Sequence, residues 1–244
     1  RFGDGIRPLP SRMVLLADLK SGLVEVGGAD LFGAFGSGPL IMRDFVDALD
    51  AASRDDRVRG LVVKLGPAGV SVAQAQEIRD AVAGFRRSGK STIAFAESFG
   101  GIGSGTVAYY LASAFETIWV QPSGAVGLTG LVLEAPFLKG ALEKLGVEAK
   151  VEQRQEYKAA AEMFTRERFS EPARRSLQRL VDSWLSQIVS GVAAARGLQP
   201  GAVHKLVDQG PYLAPEALAA NLIDKLGYWS ELVNSTRASA NLDD

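Results

Sequence analysis

Apolar residues recur along this chain in two alternating rhythms. Short dense runs at Met13–Leu19 (MVLLADL), Gly60–Leu65 (GLVVKL), Thr92–Ala96 and Thr117–Val120 have the length and branched-residue content of buried strands. Between them, Leu40–Ala52 carries Phe45, Val46 and Leu49 at helical spacing. Val72–Phe85 places Val72, Ala75, Ile78, Val82 and Phe85 on one face, and Arg86, Arg87 and Gly89 form a helix stop. Gly103–Ala114 reads as a helix, Gly124–Leu133 as a turn plus strand, Ala135–Leu145 as a helix, and Val147–Val151 as a further strand. A Gly-rich loop spans Gly27–Gly38. Strand and helix alternate at least four times, which predicts an α/β fold with a largely parallel sheet. The rhythm then changes. Ser170 caps a long helix through Arg196, with Leu177, Leu180, Val181, Trp184, Ile188 and Val192 as its apolar stripe. Shorter helices close the chain, and Ser235–Asp244 is polar enough to fray. The expected division is an α/β core over residues 1–154 and a helical arm over residues 155–244.

Composition narrows the function classes. The 244 residues are 47% hydrophobic and 23% charged, ordinary values for a globular protein with a sizeable core. A net charge of −1 gives no nucleic-acid footprint, and no apolar run reaches the roughly 18 residues of a membrane span. Beginning at Arg1, the chain reads as a piece of a longer protein whose upstream signal or anchor would be invisible here. The lack of cysteine excludes disulfides, thiol catalysis and cysteine-ligated zinc. One histidine, His204, cannot build a metal cluster, and its segment GAVHKLVDQG reads as a surface helix rather than part of a triad. No metal or cofactor is expected.

Two motifs match nucleotide-binding patterns by letter. Gly84-Phe85-Arg86-Arg87-Ser88-Gly89-Lys90-Ser91 satisfies G-x-x-x-x-G-K-[ST], but a phosphate loop needs a strand before it and a helix after it. Here a helix ends and a strand begins, so Gly89 is a helix stop. Gly103-Ser104-Gly105-Thr106-Val107-Ala108 fits a loose dinucleotide fingerprint but lacks the acidic residue about 20 positions on. Asp55-Asp56 reads as a solvated turn.

The stretch Glu156-Tyr157-Lys158-Ala159-Ala160-Ala161-Glu162-Met163-Phe164 carries the candidate chemistry. It puts one lysine where a polar loop enters a small-residue helix. Alone, Lys158 is one solvated lysine among many. A lysine stripped of water, however, can act as the base for a serine or threonine hydroxyl. That chemistry asks for a Gly-rich strand-to-helix turn as an oxyanion hole. Gly66–Gly69 and Gly100–Gly105 are the two turns on offer.

Ordered pieces of the chain resemble signal peptide peptidase A, also called protease IV. They are Asp56–Leu65 (DRVRGLVVKL), Gln74–Phe85, Ser88-Gly89-Lys90, Tyr109–Ser113, Gly124–Gly130 (GAVGLTG), Tyr157-Lys158 and Leu222–Tyr228 (LIDKLGY). The resemblance implies a ClpP/crotonase-like fold with a C-terminal helical arm. It implies a serine-type endopeptidase acting on remnant signal peptides or other membrane-released peptides. The chain is similar to the first half of the family's long forms, which supplies the lysine base while the second half supplies the serine. Lys158 falls on that lysine. Thr106 falls where the family's nucleophile stands three residues before a tyrosine, with Val107-Ala108 in place of Gly-Gly, which implies that this half carries only the lysine. The implied setting is a homo-oligomer, with a tetramer as the candidate, anchored in the inner membrane of a bacterial envelope and facing the periplasm. Peptide substrates and the serine-bearing half are the expected partners. Two rivals stand beside this reading: a crotonase-like acyl-CoA enzyme and a non-catalytic assembly module.

Overall fold

A computed structural model describes residues 10–25, 40–66, 70–100, 104–152 and 154–242. In chain order the elements are β1 (Met13–Asp18), β2 (Leu23–Val24), β3 (Leu40–Ile41), α1 (Met42–Arg54), β4 (Val58–Leu65), α2 (Val72–Arg86), β5 (Ser91–Ala96), α3 (Thr106–Ala112), β6 (Thr117–Val120) and β7 (Ala125–Val126). There follow α4 (Lys139–Lys144), a 3-10 turn (Ala159–Ala161), α5 (Glu162–Thr165), α6 (Glu171–Arg196), α7 (Pro200–Gln209), β8 (Tyr212–Leu213), α8 (Ala214–Ala219), β9 (Lys225–Leu226) and α9 (Trp229–Ala240). The chain forms two compact units, one of Arg1–Thr129 with Val189–Asp244 and the other of Gly130–Ile188. This differs from a division near residue 154, because α6 is split between the units.

The larger unit is built on a five-stranded sheet in the order β1-β4-β5-β6-β9. Every pairing in it is parallel. A parallel sheet is covered on both faces, so its central strands are apolar throughout. Leu61, Val62 and Val63 in β4 and Ala94, Phe95 and Ala96 in β5 are accordingly buried. The expected α/β class is therefore met. Helix α2 starts where expected because Ser71 caps it: the Gln74 amide donates to Ser71 Oγ at 3.2 Å and the Ser71 amide donates to Gln74 Oε1 at 2.9 Å. Its face of Ala75, Ile78, Val82 and Phe85 is buried.

The late segment Leu222–Tyr228 lays the last strand on the sheet. Asp224 Oδ2 accepts the Ile118 amide at 2.8 Å, and the Gly227 amide donates to Val120 O at 3.0 Å. Arg196, at the end of α6, holds Asp224 Oδ1 at 2.9 Å with only 6% of its side chain exposed. Tyr109 adds a second tie, its buried hydroxyl donating to Leu222 O at 2.7 Å. No helix among the described residues is long and apolar enough to cross a membrane.

Three expected elements differ. No strand forms at Val147–Val151. The end of α4 is closed by Gly146 and Val147 amides bonding back to Glu143 O and Leu142 O, and the charged, exposed run that follows has no ladder partner among the described residues. A strand cannot stand without one. Of Gly124–Leu133 only Ala125–Val126 pairs, antiparallel to Tyr212–Leu213. The helix expected over Ala135–Leu145 is only Lys139–Lys144, and none of its residues is buried. The stretch Leu131–Leu138 instead alternates: its odd positions are half-buried and its even positions exposed. The loop Gly27–Gly38 lies outside the described residues.

Candidate active site

Lys158 lies in the smaller unit, one residue before the 3-10 turn Ala159–Ala161 that leads into α5. Its amide donates to Gln155 O at 3.0 Å, closing a tight turn that fixes its backbone at φ −85, ψ 62. The lysine is exposed, as is Tyr157 beside it. A lysine base needs its ammonium desolvated so that the proton can leave near neutral pH. None of the described residues covers Lys158.

Glu162, four residues on, went without a role in the sequence reading. It is 3% exposed, its Oε2 accepts the Ser170 amide at 2.9 Å, and Ser170 Oγ in turn accepts the Ala173 amide at 3.3 Å. One carboxylate thus ties the segment that begins at Lys158 to the N-terminus of α6. Burial pushes the Glu162 carboxyl upward, but the Ser170 hydrogen bonds and the nearby Arg166 outweigh it and hold the group below its ordinary value. The sequence signal was a single acid in the run Ala-Ala-Ala-Glu-Met-Phe, where burial without a partner would be costly.

Thr106 belongs to the larger unit and is the first residue of α3. It is fully buried. Its Oγ1 accepts the Thr129 amide at 3.1 Å and the Ser104 hydroxyl at 3.1 Å, and donates to Gly127 O at 3.4 Å. The hydroxyl therefore holds the chain Gly127–Thr129 against the start of α3. Gly105 permits a second close approach at the same place, that of the Phe99–Gly100 backbone: a Cβ on Gly105 would stand 2.1 Å from Phe99 O. Of the two candidate oxyanion turns, residues 67–69 and 101–103 lie outside the described residues.

The other motifs resolve into structural parts. The P-loop-like run spans the end of α2 and the start of β5, with Gly89 at φ +78 as the helix stop. Lys90 Nζ donates to Ala52 O at 2.6 Å and Asp55 O at 2.7 Å, so it caps the end of α1 and does not face a phosphate cradle. Hydrogen bonds from Arg57 hold the Asp55 carboxyl down at about 2. His204 is exposed on α7. Among the described residues no group of His, Asp and Glu could hold a metal ion.

The larger unit is thus a parallel α/β scaffold, and the smaller unit carries Lys158 immediately before a small-residue 3-10 turn. Residues 85–243 match Peptidase family S49, and the chain belongs to that family. It is 30% identical over 195 residues to the chloroplastic serine protease SPPA of Arabidopsis thaliana, covering 80% of this chain and 28% of that one. It is also 30% identical over 225 residues to Protease 4 of Salmonella typhi, covering 82% of this chain and 35% of that one. The chain thus spans about a third of the length of these relatives. Among solved structures, a mutant of the 1510-N membrane-bound stomatin-specific protease is similar at a TM-score of 0.49 and 12% identity, over 94% of this chain and 86% of that one.

Proposed function

We propose that this chain is the lysine-bearing half of a serine endopeptidase with a Ser/Lys dyad. The observation that carries this reading is the position of Lys158: inside the segment matching the peptidase family, on a fixed turn, with only alanines beside it on the C-terminal side. In the proposed reaction Lys158 Nζ takes the proton from a serine hydroxyl as that oxygen attacks the peptide carbonyl carbon. The proton then passes to the leaving amine as the C–N bond breaks, and the acyl-serine ester is hydrolysed by water through the same base. The serine comes from a second half, since the hydroxyl at the matching position here, Thr106, is buried and bonded to backbone.

The covering that a lysine base needs comes, in this reading, from that half or from a neighbouring copy. Eight of the twelve exposed large apolar side chains among the described residues fall between Val132 and Leu180, in the unit that carries Lys158. Such a concentration marks a surface that another surface covers. The substrate is an extended peptide, a remnant signal peptide or another membrane-released peptide, and Gly124–Gly130 with the extended stretch after it offers backbone for it to pair with. The setting that fits is a homo-oligomer at the bacterial cell envelope, facing the periplasm.

Lys158→Ala, made in the protein that contains both halves, tests the assignment. Peptide cleavage should fall by about 100-fold or more with the fold unchanged by circular dichroism. Lys158→Arg should be equally inactive, because a guanidinium keeps its proton. Retention of more than about a tenth of the activity by either variant defeats the assignment.

A further inference from the structure

The run Val147-Glu148-Ala149-Lys150-Val151 alternates apolar and charged residues with the period of a strand, yet it stands unpaired among the described residues. Val147 and Val151 are 50% and 54% exposed. Glu148 Oε2 and Lys150 Nζ, two positions apart, lie 3.6 Å from one another on exposed side chains. The two charges therefore share one side, as an extended backbone requires. The Val147 amide donates to Leu142 O at 2.9 Å and closes α4. No other backbone group from 147 to 152 is hydrogen-bonded among the described residues. A row of free N–H and C=O groups is a template for another strand.

The charges select which strand fits. Laid antiparallel against a copy of itself, with Ala149 opposite Ala149, the run sets Glu148 opposite Lys150 and Val147 opposite Val151 on both sides of the centre. Sliding by two residues opposes Glu148 to Glu148 or Lys150 to Lys150. Sliding by one sets a charge opposite an apolar residue. A parallel pairing in register lays like charge beside like. Facing opposite charges and branched side chains stabilise a sheet, whereas facing like charges destabilise it. Because the Val147 amide is already held, the ladder runs through Glu148 and Lys150, and Ala149 meets its copy in the close, non-hydrogen-bonded position.

We propose that Val147–Val151 pairs antiparallel with the same segment of a second copy, about a two-fold axis through Ala149. A two-stranded ribbon alone is marginal in water, so neighbouring apolar surface must join it. Leu145, just before the run, is exposed, and so is Phe164, which lines a hollow with Val147 and Ala149. The contact supplies one interface of the homo-oligomer in the reading above and rests on that reading only in expecting copies to meet. Association is measured without turnover, so failure of this contact and failure of the Ser/Lys dyad give different results.

The test is oxidative cross-linking of the 244-residue chain, which has no cysteine of its own. Ala149→Cys should give a disulfide-linked dimer under mild oxidation, because facing Cα atoms about 4.5–5.5 Å apart lie within disulfide range. Val147→Cys alone should not, since its copy stands about 14 Å away along the ladder. Val147→Cys mixed with Val151→Cys should cross-link. Sedimentation velocity gives a second readout. Glu148→Lys and Lys150→Glu should each weaken association by about 10-fold or more, because two facing pairs turn from attraction to repulsion. Mixing these two variants should restore association, since each Lys then faces a Glu across the ladder while the ion pair within each chain stays broken. Adding Lys158→Ala should change none of these results. No cross-linking by Ala149→Cys, equal cross-linking by Val147→Cys, undiminished association of the charge variants, no recovery on mixing them, or an unaltered chain that stays monomeric would each overturn the proposal.

Discussion

Replacing Thr106 by valine separates a structural hydroxyl from a catalytic one. The two side chains have nearly the same shape, so the perturbation is the loss of one oxygen from a fully buried site. Gly127 O keeps the Gly105 amide at 2.9 Å and is not left bare. Ser104 is exposed and can turn to water. The Thr129 amide, which gives up its acceptor at 3.1 Å, is the group that loses. An orphaned backbone amide costs about 1–3 kcal/mol, and because Thr129 lies at the surface the lower part of that range, about 1–2 kcal/mol, applies. For a domain of this size that lowers the melting temperature by about 2–8 °C. Differential scanning calorimetry reads this directly. Peptide cleavage by the protein containing both halves, measured well below the transition, should stay within about 2-fold of the unaltered protein, whereas loss of a nucleophile costs about 10⁶-fold. Activity lost by more than about 100-fold at an unchanged melting temperature would refute the structural role and place the hydroxyl in the chemistry.

Lys90→Ala should leave peptide cleavage unchanged while lowering the melting temperature by about 2–4 °C, because it uncaps α1; a saturable rise in melting temperature with ATP would contradict this. Glu162, held below its ordinary value of 4.5, should contribute stability that is complete above that pH and fades as the pH falls through its folded value. Acid titrations followed by circular dichroism should show that fading in the parent and a shallower acid limb in Glu162→Gln. The assembled protein should lose activity when diluted below its dissociation constant, followed by light scattering and peptide cleavage in parallel. A fully active monomer would exclude a shared site.

The larger unit was legible because its signals are local and agree with one another. Val72–Arg86 has a capping residue, an amphipathic face and a stop, and the apolar runs of β4 and β5 are too short and too uniform to be anything but buried strands. The smaller unit was misread where the signal depends on partners. Val147–Val151 has the residues of a strand, but strand formation is a property of a pair, and none is present among the described residues. Ala135–Leu145 has helix formers, yet its first positions hold an extended course whose half-buried side chains include Ala135 and Phe137. Of the candidate site, Lys158 was singled out from its motif, and its role stands as a proposal. The burial of Thr106 and Glu162 was not legible, because each depends on residues 8 to 23 positions away closing onto it.

Alternation along Leu131–Leu138 sets how this segment can vary between relatives. With a period of two, a substitution at an exposed position such as Val132 or Glu134 leaves the inward side untouched. A single inserted or deleted residue does not. It turns Phe137 outward, away from its contact with Phe169, and drives Glu134 or Leu138 inward. The segment should therefore drift freely in sequence while its length stays fixed, and the number of residues between Gly130 and Lys139 becomes the conserved quantity.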